Sequence, residues 1–114
     1  MAVAVTLLAD HKGITAPKVV GDEYVVDALI NMGTYANGGL TVTATQLGLN
    51  TVHCVAMTGQ DSVIGFTVPE VSAAGAYAAA TSFKLNCIKG ADGPNAEGGS
   101  VDYGSVRIRV WGNL

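Results

Sequence analysis

The stretch SVRIRVW, residues 105–111, decides the fold class. Val106, Ile108 and Val110 alternate with Arg107, Arg109 and Trp111. Side chains with a period of two point to opposite faces of a β-strand. Three β-branched apolar residues therefore face one way, and two guanidiniums and an indole face the other. A strand with one apolar and one polar face belongs in an antiparallel sheet packed on a core through one side only.

The same texture recurs along the chain: VAVTLL (3–8), EYVVDALINM (23–32), GLTV (39–42), TVHCVAMT (51–58), SVIGFTVPE (62–70), TSFKLNCIK (81–89) and YGSVRIRVW (103–111). In TVHCVAMT, alternation puts Val52, Cys54 and Ala56 on one side and His53, Val55 and Met57 on the other. Short strands separated by glycine-rich turns point to an all-β, single-domain antiparallel β-sandwich or barrel of jelly-roll-like character. The length of 114 residues fits one domain. Residues 1–20 read as an N-terminal arm or first strand, and 21–114 as the single β domain.

At most one or two short helical turns interrupt the strands. In GTYANGGLTVTATQLGL (33–49), Asn37, Gly38 and Gly39 supply the positive-φ positions of a turn. Thr43 and Gln46 have the spacing of a capping box, and Gly48 can close the turn in the left-handed conformation. A single helical turn over 44–47 is expected, a corner between two strands. That corner carries no charge, which suits a covered surface, and Tyr35 at its tip is a candidate contact residue. In EVSAAGAYAAATS (70–82) alanine favours helix while Gly75 interrupts it, so both a helix and a small-residue loop are open. GADGPNAEGGSVDYG (90–104) is a turn-rich connector.

Only 13% of residues are charged, against about 25% in ordinary soluble domains. A chain this apolar is expected to hide folded surface against a partner. A net charge of −3 with six scattered basic residues argues against a nucleic-acid partner, which requires clustered Lys and Arg. The longest run of small apolar residues, AAGAYAAA (73–80), is far short of a membrane span of about 20 residues. MAVAVTLLADHKG lacks the basic start and long apolar core of a signal peptide, so synthesis in the cytoplasm is expected. There, Cys54 and Cys87 would be free thiols.

No pattern of catalytic residues stands out, and the chain reads as a non-enzyme. His11 and His53 are the only histidines, and no serine sits in a G-x-S-x-G elbow. Asp22, Glu23 and Asp27 read as solvated strand-end charges rather than a glycosidase pair. Asp92, Asn95, Glu97 and Asp102 do not follow an EF-hand spacing, although a cation in that loop stays open. No cofactor or metal site is expected. Arg107, Arg109 and Trp111 in one row form the best candidate for protein–protein contact, because Trp and Arg are favoured at interfaces and guanidiniums can pair with carboxylates of another chain.

The order of these pieces resembles that of small head structural proteins of tailed bacteriophages, of the capsid decoration or cement kind. In that group a similar turn often reads Tyr-x-x-Gly-Gly-x-x-Leu-Thr, then an acidic or polar residue and Leu-Gly-Leu. The matching positions are Tyr35, Gly38, Gly39, Thr43, Leu47, Gly48 and Leu49. The likeness covers residues 20–58 and 103–112, while 69–104 departs from it. It implies a virion protein on the capsid exterior that binds the major capsid protein across capsomer junctions and stabilises the shell against internal DNA pressure. A homotrimer would suit a threefold junction. The resemblance carries over no catalytic residues. A phage fibre or spike domain, or a lectin-like β-sandwich binding module, is the alternative.

Overall fold

The computed structural model describes residues 4–21, 23–33, 38–60, 66–71, 80–88 and 104–114. Among these residues eight strands follow one another: β1 (Ala4–Leu7), β2 (Lys18–Val20), β3 (Glu23–Asn31), β4 (Leu40–Thr43), β5 (Thr51–Gln60), β6 (Phe66–Val71), β7 (Ser82–Ile88) and β8 (Ser105–Asn113). A single 3-10 turn, Ala44–Leu47, lies between β4 and β5. All strand pairing is antiparallel. The chain is an all-β sandwich of two sheets.

The larger, five-stranded sheet runs β1-β3-β8-β5, with β2 also paired to β3. β1 lies opposite residues 28–31 of β3 and β2 opposite residues 23–25, so the two share one edge of that strand. Residues 4–7 and 18–20 are thus built into the sheet. The smaller sheet runs β4-β7-β6.

Alternation explains the packing. Val26, Ala28 and Ile30 of β3 and Val106, Ile108 and Val110 of β8 are buried, and they face Val42 of β4 and Phe83, Leu85 and Cys87 of β7. Leu47 at the end of the 3-10 turn and Leu49 just after it join this core, with Met32, Ala44 and Val52. Thr67 is a buried polar residue whose hydroxyl donates to Gln60 Oε1 at 3.2 Å and lies 3.8 Å from Cys87 Sγ. One flank is stitched between layers, because Val52 N of β5 donates to Ala80 O at 2.7 Å, while Ala44 N donates to Thr81 O at 2.9 Å and extends the β4–β7 pairing by one step.

The corner forms as its residues dictate. Thr43 is extended at the N-cap, its N–H donates to Gln46 Oε1 at 3.0 Å, and Gly48 takes φ +77°. Leu49 N then donates to Ala44 O at 3.0 Å, which closes the turn and aims Leu49 into the core. Gly39 sits at φ +91°, where a side chain is strained, and a Cβ there would also displace the Asn86 side chain, whose Oδ1 would stand 2.6 Å away.

One face assignment from the sequence is corrected. β5 pairs Val52 with Gly112 but Cys54 with Trp111, so His53 is the extra residue of a β-bulge. The bulge inverts the phase: Val52 is buried, Cys54 is exposed, and Val55 and Met57 pack on the core. A second register shift lies between Met57 and Gly59.

Candidate interaction surface

The outward face of the larger sheet is set by the residues that β3 and β8 do not spend on the core. From β3 it takes Glu23, Val25, Asp27 and Leu29; from β8, Arg107, Arg109 and Trp111. Register aligns them in rows. Trp111 stands between Val25 of β3 and Cys54 of β5, Arg109 between Asp27 and Ala56, and Arg107 between Leu29 and Gly59. Both arginines are exposed, while Val25, Leu29 and Trp111 are half-buried. The three β8 residues thus share one open face. Tyr35 lies outside the described residues, as do most of the Ala-rich stretch and of the connector before β8.

The charges on this face are largely settled within the chain. Arg109 Nε donates to Asp27 Oδ1 at 2.9 Å and its terminal nitrogen to Asp27 Oδ2 at 3.0 Å, a bidentate pair directly across β3 and β8. Asp27 is therefore no strand-end charge left to water, and Arg109 finds its carboxylate inside the same chain. Hydrogen bonding from Arg109 holds the Asp27 carboxyl below the usual range, against a smaller opposing effect of burial, and the same bonds raise Arg109. His53 Nε2 lies 2.9 Å from Glu23 Oε2, so the bulge turns the imidazole toward the end of β3.

The edge where β1 hands over to β2 adds a second element. Asp10 Oδ1 accepts from the N–H of Lys12 at 2.8 Å and of Ile14 at 3.0 Å, and Asp10 Oδ2 lies 3.2 Å from Lys18 Nζ. The Ile14 N–H is the leading reason that the Asp10 carboxyl is also held below its ordinary value. The folded loop and the sheet enclose a shallow cleft of about 290 Å3 lined by Asp10, His11, Lys18, Asp27 and Arg109 among others. A second depression, about 210 Å3, lies on the smaller sheet between Thr41, Glu70 and Lys84. The first lies at the lower edge of the roughly 300–1,000 Å3 of most ligand pockets, and the second lies below it.

Among the described residues no group of three His, Cys, Asp or Glu is placed to hold a metal ion. Asp92, Asn95, Glu97 and Asp102 lie outside them. Among the described residues, no helix is long and apolar enough to cross a membrane. Sequence reading found the arginines and the indole, but it missed Asp27 as a partner because the pair joins residues 82 positions apart. Comparison with protein-family models, with curated proteins and with solved structures found no match.

Proposed function

We propose that this chain is a non-enzymatic structural protein of a virion, decorating the capsid and cementing it by binding the major capsid protein across capsomer junctions. The observation that carries this reading is the outward face of the larger sheet. Its floor is half-buried Val25, Leu29 and Trp111, and two of its cations, Lys18 and Arg109, are paired with Asp10 and Asp27 within the chain. Such a face loses little by being covered, since few charges would be stripped of water without a partner. The low charge of the whole chain points the same way.

A cement role also asks little of each copy. Many modest contacts on a closed lattice act together, so an open sheet face suffices where a lone binder would need a deep pocket. The phage-head resemblance supplies the identity of the partner, and the threefold junction it implies favours a trimer on the capsid exterior.

The test is co-sedimentation with shells of the major capsid protein of the virus that carries this chain. Saturable binding with a copy number fixed by lattice symmetry is expected, together with increased resistance of the shells to heat or chelator. A chain that stays in the supernatant at every shell concentration would overturn the reading.

A further inference from the structure

The strands of the larger sheet carry Lys18, Glu23, Asp27, His53, Arg107 and Arg109 as their acidic and basic side chains. Five of these make close intrachain contacts with a group of opposite kind: Lys18 with Asp10, Glu23 with His53, and Asp27 with Arg109. The sixth does not. Arg107 is exposed, and no carboxylate among the described residues lies within ion-pair distance of it. Its field reaches Asp27, but both oxygens of that carboxylate are already held by Arg109.

The surroundings of Arg107 also differ from those of Arg109. Across β3 its neighbour is Leu29 and beyond that, on β1, Thr6; across β5 it is Gly59. Gly59 has no side chain to screen the arginine stem, and the register shift beside it bends β5 locally. The guanidinium therefore rises from an uncharged floor with its five donors available.

We infer that Arg107 alone is the docking cation of this face, receiving an aspartate or glutamate of the shell protein whose apolar flank covers Leu29. Arg109 is a positioning residue that holds β3 to β8 and lends no charge to the partner. The inference rests on the shell-binding reading and divides the roles of two arginines that sequence alone leaves equivalent. A guanidinium–carboxylate contact formed as the surfaces close is worth about a tenfold change in affinity or more.

The experiment compares wild type, Arg107→Gln and Arg109→Gln for binding to shells that lack this chain, with thermal melts of each variant. Arg107→Gln is expected to melt like wild type, to bind about tenfold or more weakly, and to lose most of the weakening that wild type shows when salt rises from about 0.05 to about 0.5 M. Arg109→Gln is expected to melt lower yet to keep the wild-type salt dependence. Binding of Arg107→Gln within about twofold of wild type, with unchanged salt dependence, would overturn the inference while leaving shell binding intact. Failure of wild type itself to bind would remove both.

Discussion

Two glycines on neighbouring strands should respond to the same substitution with opposite signs. Gly112 of β8 is buried on the inner face opposite Val52, whereas Gly59 of β5 is exposed on the outer face opposite Arg107. A Cβ on Gly112 would overlap the carbonyl oxygen of Thr51 and stand 3.1 Å from Leu49 Cδ1. The oxygen belongs to backbone, so relief requires β5 and β8 to separate beside the His53 bulge. Overpacking of this kind costs about 1–3 kcal/mol, and a clash with backbone belongs at the upper end. A Cβ on Gly59 would meet only Arg107 Cβ at 3.7 Å, an ordinary contact. There alanine removes the entropic handicap of glycine and gains roughly 0.5–1 kcal/mol. Unfolding entropy of about 2.1 cal/mol/K per residue, over 114 residues, comes to about 0.24 kcal/mol/K. Gly112→Ala should therefore lower Tm by about 8–12 °C, and Gly59→Ala should raise it by about 2–4 °C. Calorimetry or circular dichroism melts at neutral pH measure both. Equal Tm values for the two variants would refute the assignment of inner and outer faces.

A double-mutant cycle on Asp27→Asn and Arg109→Gln should return a coupling of about 0.5–1 kcal/mol in denaturant unfolding, the upper range for an exposed cross-strand pair. Because the folded Asp27 carboxyl lies below its ordinary value of 3.8, this contribution is complete above that value and is lost as pH falls through the depressed folded value. Stability curves of wild type and Asp27→Asn should accordingly converge only in strong acid, and a gap that closes at neutral pH would contradict the pairing. Gly48→Ala forces a side chain into φ +77° and should cost about 1 kcal/mol in a thermal melt, although the added Cβ meets only Pro17 at 3.5 Å. With Cys54 exposed and Cys87 buried, a thiol reagent should label Cys54 in the native protein and Cys87 only after unfolding. Labelling of both at one rate would mean that β7 is not inside.

Much of the fold was legible because it is written in local chemistry. Period-two alternation marks the strands, since each must place apolar side chains on one face only. Thr43, Gln46 and Gly48 announce the 3-10 turn, since capping involves groups within five residues of each other. The bulge at His53 escaped this reading because a one-residue insertion is a property of two paired strands. TVHCVAMT alternates perfectly by itself, and only opposite Gly112 and Trp111 does its phase break.

The same division holds for the interaction surface. Sequence alone determined an all-β domain, poor in charge, with Arg107, Arg109 and Trp111 on one face of its last strand. Tertiary structure decided what that face presents. Setting β3 against β8 in register brings Asp27 onto Arg109 and Leu29 onto Arg107, so one arginine is neutralised and the other is left open. Charge composition is a sum over the chain, but pairing depends on distance, and distance between residues so far apart in sequence exists only once the sheet has formed.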